Sequence, residues 1–279
     1  MPSRRSSSPL LQAALATALA GAIALGCATS LTGRQQLLLF PESQMAQMGA
    51  TAFTDMQSKT PRSSNSSQVT YVRCVANAIT QVVPPEQLRA VAVSGWEVEL
   101  FEDDTANAFA LPGGKIGVHT GLLKVAVTPG QLAAVLGHEV GHVLDRHSNA
   151  RVSQQSIAQT GMQLGSVLLG ADTPQKQGLM AALGLGVQYG LLMPYGRDQE
   201  SDADQIGLEL MARAGFDPNE SVRLWENMAR AAGGAAPPEF MSTHPSSTTR
   251  IARLQASIPN VMPLYQQAQA AGRRPNCRP

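Results

Sequence analysis

The chain has 279 residues, and its 21 basic residues almost balance its 20 acidic residues, which gives a formal net charge of +1. This balance excludes a broad electrostatic surface for nucleic acid, and a hydrophobic fraction of 43% excludes a mostly disordered chain. Three cysteines without CxxC spacing are too few for a disulfide-dense scaffold and do not form a zinc ribbon.

The N-terminal segment 1–26 has the pattern of an export signal peptide. Arg4 and Arg5 precede an apolar stretch rich in alanine and leucine, and the segment contains no acidic residue. It ends with Ala-Leu-Gly before Cys27, a sequence that resembles a bacterial lipobox. Signals of that class are cut before the cysteine, whose sulfur then carries diacylglycerol, so the resemblance implies lipidation of Cys27 and a membrane contact through that anchor.

A secreted protein and an uncleaved anchor are the alternatives to lipidation. A cleavage site of the small-x-small type occurs at Ala18-Leu19-Ala20 and would release an ordinary secreted protein. An anchor is disfavoured because about 16 apolar residues are fewer than the ~20 that span a bilayer. Residue 28 is alanine rather than aspartate. By the lipoprotein sorting pattern this implies the periplasmic face of the outer membrane.

Cys74 and Cys277 remain if Cys27 is acylated. The periplasm is oxidising, which favours a disulfide that ties the predicted C-terminal tail, 261–279, to the rest of the chain. Two unpaired thiols stay open as the alternative, because sequence spacing alone does not decide between them.

Residues 27–40 are predicted to form a tether, followed by a helix that begins near Pro41 and a second helix over residues 69–83. Short strands follow, where apolar residues alternate with polar ones or stand between turn residues. They are predicted over residues 96–102, 107–111 and 115–119, with a Pro-Gly-Gly turn between the last two. The pattern therefore predicts a small antiparallel sheet.

The next predicted helix runs from Thr128 to about His147. It opens with Thr-Pro-Gly-Gln, which combines an N-cap, a proline at the first helical position and a glutamine three residues after the cap. Gly137 and Gly141 each cost this helix about 1 kcal/mol relative to alanine. Glycines at these positions indicate that another element packs closely against that face.

This helix carries His138, Glu139 and His142 in an HExxH motif. Residues i and i+4 lie on one face, so both imidazoles can reach a single cation, and Glu139 is placed to take a proton from water. The alternative is a pair of surface histidines on an exposed helix. His147 is out of register for the third ligand of an extended HExxHxxGxxH motif, and we interpret it as a structural residue near the helix end.

A third ligand is predicted on a later helix that opens at Arg197 and ends at Gly215. Glu200 and Asp204 lie at i and i+4 of this helix. Glu200 can supply a carboxylate ligand, and Asp204 can accept the second N–H of a ligating histidine. Acidic helix starts are common for dipole reasons alone. Together with the HExxH motif, however, this pair indicates a zinc site of two histidines and one glutamate with an open position for water.

HEVGH followed by ESDAD resembles the gluzincin metalloproteases related to Ste24 and HtpX, in particular their periplasmic lipoprotein branch, the LoiP- and BepA-like peptidases. Three further segments agree with this family: Leu-Thr-Gly-Arg-Gln at 31–35, Asn-Ala-Phe-Ala-Leu-Pro-Gly-Gly at 107–114, and Thr-His-Pro at 243–245 ahead of Arg250. The resemblance covers about residues 30–257 and is to the short, single-domain form.

The resemblance implies a role for each site residue. The ligands of one Zn²⁺ per chain would be His138, His142 and Glu200. Glu139 would be the general base, and Asp204 would hold a ligating histidine. His244 and Arg250 match family positions near the metal, where they can stabilise the developing oxyanion. Their alternative is that His244 caps the helix that contains Arg250.

The apolar, glycine-rich stretch 156–193 corresponds to a region where HtpX-like relatives span the membrane. Its two pieces, of about 10 and 16 residues, are too short to span a bilayer. A helical hairpin over the active site, a membrane-surface contact and ordinary core helices all stay open.

The sequence thus predicts a mainly helical α+β protein, with a zincin-like catalytic domain over residues 41–260 and a small antiparallel sheet beside the HExxH helix. By resemblance, the expected function is a zinc endopeptidase that acts on unfolded or misassembled envelope proteins, without a nucleic-acid partner. Two other classes stay open: a chaperone-like outer-membrane binding protein with little turnover, and a zinc amidase of non-protein substrates. The complete set of ligands and base disfavours the chaperone-like class.

Overall fold

The computed structural model describes residues 27–168, 195–233, 239–244 and 249–278. The predicted signal peptide, 1–26, and most of the apolar stretch 156–193 lie outside the described residues, so the expectations for them stay predictions. Within the described ranges, no helix is both long enough and apolar enough to cross a membrane.

Nine α-helices and five strands form the part of the chain that the structure describes. The strands are β1 Cys27–Thr29, β2 Gln35–Leu37, β3 Glu97–Phe101, β4 Ala108–Leu111 and β5 Lys115–His119. The helices are α1 Glu42–Lys59, α2 Ser66–Thr80, α3 Pro85–Ala90, α4 Pro129–Leu144, α5 His147–Leu168, α6 Arg197–Ala214, α7 Asn219–Ala232, α8 Glu239–Thr243 and α9 Arg250–Ala270. The predicted fold class, mainly helical α+β with a small sheet beside the HExxH helix, is confirmed.

The main sheet has the strand order β3-β5-β4. β4 and β5 pair antiparallel across the predicted turn, where Gly113 and Gly114 adopt φ angles of +80° and +81°. β3 pairs with β5 in parallel, so the antiparallel prediction holds for one of the two strand pairs. The physical reason is that β5, whose three central residues are buried, lies between β3 and β4. The chain reverses its direction once between β3 and β4 and again between β4 and β5, so β3 and β5 run the same way.

The ends of the helices follow the predicted signals with two corrections. The helix predicted over 69–83 covers Ser66–Thr80, where Asn65 caps its start, and Pro85 begins the short helix α3. α1 begins directly after Pro41, and α6 is ended by Gly215 in the left-handed conformation, with φ of +92°. The helix predicted to run to His147 ends at Leu144 instead. Arg146 has a φ angle of +58°, which turns the chain sharply, so that His147 begins the next helix, α5.

Helix α4 lies at the centre of the molecule, and each of its residues from Gly130 to Leu144 is buried. A helix that is apolar on all sides is stable only when other elements surround it. Here α2, α6, α7 and β4 pack around α4. The HExxH motif is therefore held inside the core rather than on an exposed helix.

The closest of these contacts, between α4 and α6, depends on glycine. A Cβ atom on Gly137 would lie 2.8 Å from the carbonyl oxygen of Gly207, and one on Gly141 would lie 3.0 Å from the carbonyl oxygen of Ala203. The expectation that another element packs closely against these two glycines is confirmed. The contact brings the first turns of α6 alongside the HExxH motif.

A disulfide ties down the C-terminal end of the described chain, and a hydrogen-bonded hairpin lies at its N-terminal end. Cys74 in α2 and Cys277 form a disulfide with a Cα–Cα distance of 5.6 Å, the pairing that the sequence favoured. A disulfide of this kind typically contributes about 2–4 kcal/mol to stability. At the other end, the segment 27–40, predicted as a tether, contains the antiparallel hairpin β1–β2.

Replacing Gly207 with alanine tests the helix contact. A Cβ atom there would lie 2.6 Å from the backbone nitrogen of His138, so the two helices would have to separate. Overpacking of this kind costs about 1–3 kcal/mol. We expect the free energy of unfolding, measured by urea titration, to fall by that amount.

The matched control is Gly95→Ala, because an added Cβ at Gly95 meets no atom within 4 Å. Equal stability of the Gly207→Ala and Gly95→Ala variants would contradict the close contact between α4 and α6.

Candidate metal centre

Helix α4 places its two histidines side by side in the core. The Nε2 atoms of His138 and His142 are 3.0 Å apart, as expected for residues one turn apart on one helical face. Only 4% of His138 and 1% of His142 is exposed to solvent. Two imidazole nitrogens buried this close together need a shared proton or a shared cation between them.

Helix α6 supplies a carboxylate to the same point. Glu200 has one oxygen 3.4 Å from His138 Nε2 and the other 3.4 Å from His142 Nε2. Donor atoms about 2.0–2.1 Å from a tetrahedral zinc ion lie roughly 3.3–3.4 Å from one another. The donor set and its spacing therefore fit a zinc ion.

His244, directly after α8, brings a fourth donor. Its Nδ1 lies 3.2 Å from His138 Nε2 and 3.0 Å from a carboxylate oxygen of Glu200. The ring stacks on Phe240 with 4.4 Å between ring centroids. The N-cap position of α9 is occupied by Thr249, so in this structure His244 belongs to the donor cluster and not to a helix cap.

Glu139 stands beside the cluster without joining it. The Ala110 N–H of β4 donates to one carboxylate oxygen at 3.2 Å, and the other oxygen lies 3.2 Å from His244 Nε2. Burial raises the pKa of the Glu139 carboxyl above its usual value. A carboxylate held in this way has a raised affinity for a proton, as a general base requires.

Asp204 and Arg250 surround the donors with a second layer of charge. Asp204 Oδ1 lies 3.0 Å from His138 Nδ1, the contact predicted from the i, i+4 spacing. The guanidinium of Arg250 donates to Glu200 at 2.9 Å and to Asp204 at 2.5 Å, and it stacks over the Trp225 ring at 3.9 Å. Arg250 therefore fixes both carboxylates. Its predicted contact with the developing oxyanion stays a prediction.

These contacts set the protonation of Glu200. Burial alone would raise the pKa of this carboxyl, but the charge of His138 and hydrogen bonds from the three histidines hold that pKa far below its usual range. Glu200 is therefore a carboxylate throughout the neutral range, which is the form that binds a cation.

Two further residues lie at the site: one that the sequence analysis missed, and one that it interpreted as a structural residue near a helix end. The Tyr195 ring stacks on His142 with 3.7 Å between centroids, and nothing in the local sequence pointed to it. His147, interpreted as a structural residue, has its Nδ1 2.8 Å from His142 Nδ1. The helix break at Arg146 is what brings His147 to His142, and the local sequence pattern did not predict that break.

The sequence matches Peptidase family M48 over residues 72–258. Mitochondrial metalloendopeptidase OMA1 of Schizosaccharomyces pombe is 41% identical over 177 residues, which cover 61% of this chain and 50% of that relative. Metalloendopeptidase OMA1 of Danio rerio is 30% identical over 251 residues, covering 84% of this chain and 50% of that relative. The Escherichia coli beta-barrel assembly-enhancing protease is 33% identical over 175 residues, covering 61% and 36%. The chain thus spans half or less of the length of these relatives.

Proposed function

The chain belongs to peptidase family M48, and from this premise we propose that it is a zinc-dependent endopeptidase. The observation that carries the proposal is the convergence of two imidazoles and one carboxylate, from His138, His142 and Glu200, beside the separate carboxylate of Glu139. Two histidines and a glutamate are a ligand set typical of catalytic zinc. The relatives named as metalloendopeptidases support the same reaction.

The residues of the site suggest how peptide hydrolysis proceeds. His138, His142 and Glu200 would hold the zinc ion, which when bound would supply Lewis-acid chemistry that acidifies water and polarises the scissile carbonyl. Glu139 takes the proton of the attacking water and passes it to the leaving amine. The Ala110 N–H holds one oxygen of Glu139 and leaves the other facing the donor cluster. Arg250 keeps Glu200 and Asp204 in place by its two hydrogen bonds.

The edge strand β4 supports an extended peptide as substrate. Among the strands that the structure describes, β4 pairs on one side only, with β5, and Ala110 within it contacts Glu139. An extended segment can add to such an edge through main-chain hydrogen bonds, which demand little of its sequence. Unfolded protein segments offer this backbone over most of their length, whereas folded proteins pair most of it internally. We therefore propose unfolded or misassembled proteins as substrates.

The cellular setting is a proposal from the N-terminal sequence and the disulfide. Cys27, at the end of the lipobox-like sequence, is exposed, and the pair Cys74–Cys277 fits an oxidising compartment. We propose that the chain is a lipoprotein of the LoiP- and BepA-like branch, anchored at the periplasmic face of the outer membrane in envelope quality control. The similarity to the Escherichia coli protease supports this setting, whereas the OMA1 relatives carry mitochondrial names.

A chaperone-like protein with little turnover is the second candidate. It would use the same edge strand but would not need a complete catalytic set. The buried base Glu139 and the ordered Glu200 carboxylate favour the peptidase.

The peptidase is tested by two matched substitutions. Glu139→Gln should reduce the digestion of unfolded casein by about 100-fold or more, because the general base is lost, while one zinc per chain is retained. Glu200→Gln should lower both the digestion and the zinc content measured by elemental analysis. Digestion by the unaltered protein should stop when a chelator removes the metal.

Glu209→Gln is the control, since Glu209 lies on the same helix, is half-exposed and pairs with Arg213. Metal loss in Glu139→Gln with retention in Glu200→Gln would show that the ligands are assigned wrongly. A wild-type protein that binds zinc and unfolded casein without cutting it would favour the chaperone-like candidate.

Under this proposal, His244 keeps the resting enzyme inactive. Its Nδ1 is placed as a fourth donor, which would exclude water from the metal. If His244 leaves the donor cluster, the same imidazole can donate to the oxyanion. In a crystal of the zinc-loaded resting protein, we expect His244 Nδ1 about 2.0–2.1 Å from the metal.

X-ray absorption of the same sample gives a second measurement. His244→Ala should remove one imidazole from the zinc coordination sphere, and His119→Ala, on β5, should remove none. A water molecule in place of His244 in the unaltered resting protein would contradict this role of His244.

The lipoprotein proposal predicts the fate of a cysteine variant. Wild type should fractionate with the outer membrane, whereas Cys27→Ser should leave a soluble or uncleaved protein, because serine cannot carry the diacylglycerol thioether. Cys277→Ser serves as the control for loss of a cysteine. Wild-type protein free in the soluble periplasm would rule out the anchor.

A further inference from the structure

We propose that Asp145 and His147 are positioning residues that hold the metal ligand His142, and that the hairpin β1–β2 anchors them. This inference rests on the proposed function, because it takes His142 to be a ligand of the metal. It concerns a buried row of polar side chains that begins at His142 and continues through His147 to Asp145. Asp145 is fully buried and His147 is 1% exposed.

The turn between α4 and α5 creates this row. α4 ends at Leu144, and the left-handed backbone of Arg146 reverses the chain within two residues. The reversal points the His147 ring back at the last turn of α4, with its Nδ1 2.8 Å from His142 Nδ1. A continuous helix would separate residues 142 and 147 by five positions and direct their side chains to different faces.

The position of each proton follows from the geometry of the site. His142 turns its Nε2 toward the donor cluster, so as a ligand it carries its proton on Nδ1. That proton points at His147 Nδ1, which must accept it, and the proton of His147 is therefore on Nε2.

The carboxylate of Asp145 completes the row. His147 Nε2 lies 3.0 Å from Asp145 Oδ2, although the contact is bent away from ideal hydrogen-bond geometry. The carboxylate acts through its charge, because it favours a proton on the nitrogen that faces it. Asp145 thus selects the tautomer of His147, and His147 selects the tautomer and ring orientation of His142.

The hairpin holds the other side of Asp145. The Leu31 N–H, in the turn between β1 and β2, donates to Asp145 Oδ1 at 2.6 Å. Gln36 of β2 donates to the carbonyl oxygen of Asp145 at 3.0 Å, and Arg146 donates to the Thr29 carbonyl at 3.0 Å. Three hydrogen bonds therefore fix the turn that carries the row. The segment directly after Cys27 is thereby connected to a metal ligand.

A second cation site is the competing explanation for these residues. Asp145, His147 and Asp202 offer ligand atoms within 4.8 Å of one another. However, the Arg34 guanidinium donates to Asp202 at 2.9 Å, and one oxygen of Asp145 is taken by the Leu31 N–H. An arginine already supplies the positive charge, so we assign the group to positioning.

The test is the zinc affinity of the purified full-length protein, measured by competition with a chromophoric chelator. His147→Phe keeps the ring volume and removes the acceptor. His147→Asn places a carbonyl oxygen near the position of Nδ1 and can accept from His142. Loss of an outer hydrogen-bond partner typically costs about 10–100-fold in metal affinity. We expect that loss in His147→Phe and recovery to within about threefold of wild type in His147→Asn.

Removal of the charge is tested separately. Asp145→Asn keeps the size of the side chain and should weaken zinc binding by about 10-fold. Asp198→Asn is the control, because Asp198 is an exposed carboxylate paired with Arg34 on the same side of the protein. Its zinc affinity should equal that of wild type. The visible spectrum of the cobalt-substituted protein should change in Asp145→Asn and His147→Phe only, since it reports the ligand geometry.

Two substitutions of one residue test the hairpin. Leu31→Pro removes the N–H that Asp145 accepts, whereas Leu31→Ala keeps it. We expect weaker zinc binding in Leu31→Pro alone. Circular dichroism identifies any variant that fails to fold. If Leu31→Pro does not fold, Gln36→Ala tests the hairpin instead, because it removes the side chain that donates to the Asp145 carbonyl oxygen, and it should also weaken zinc binding.

Several outcomes would overturn the inference. Wild-type zinc affinity in His147→Phe or in Asp145→Asn would show that these residues do not position His142. Equal losses of zinc affinity in His147→Phe and His147→Asn would show that His147 contributes by packing alone. Equal zinc affinities for the two Leu31 variants would show that the hairpin does not support the metal site. Two zinc ions per wild-type chain, falling to one in His147→Phe, would establish the second cation site instead. A wild-type protein that binds no zinc would contradict the proposed function itself.

Discussion

The contact between α4 and α6 is the constraint on which the rest of the site depends. Both helices use glycine where they meet, and the backbone of one lies against the backbone of the other at Gly137 and Gly207. Only at this separation can the short side chain of Glu200 reach two imidazoles on the neighbouring helix. The glycines are unfavourable in isolated helices, so the helices form here because the core surrounds them.

The same contact brings several charged groups together in the buried core, and Arg250 offsets the cost of burying them. Three carboxylates lie together here: Glu139 and Glu200 are buried, and the side chain of Asp204 is 13% exposed. Buried carboxylates are costly unless a partner of opposite charge lies close by. Arg250 is itself 2% exposed and contacts two of them. The third, Glu139, faces the imidazole of His244 at 3.2 Å instead of the guanidinium, and this is the carboxylate proposed to exchange a proton.

The sequence was informative where function depends on spacing within one helix. His138, His142, Glu200 and Asp204 follow the i, i+4 rule, and the caps at Thr128 and Gly215 located their helices. It was silent where function depends on contacts between elements. The stacking of Tyr195 on His142 and the parallel pairing of β3 with β5 arise from tertiary packing. The role of His147 depended on one left-handed residue, Arg146, at which the chain has no glycine to signal the turn.

The disulfide between Cys74 and Cys277 has a topological consequence. It closes a covalent ring with a sequence separation of 203 residues, and the four donors of the cluster all lie inside that ring. A single break of the main chain within the ring leaves both pieces joined through sulfur. A peptidase that is nicked by a neighbour, or by another copy of itself, therefore releases no fragment until the bond is reduced. The hairpin β1–β2 stands outside the ring, so its attachment depends on hydrogen bonds and on the continuity of the chain between Leu37 and Cys74.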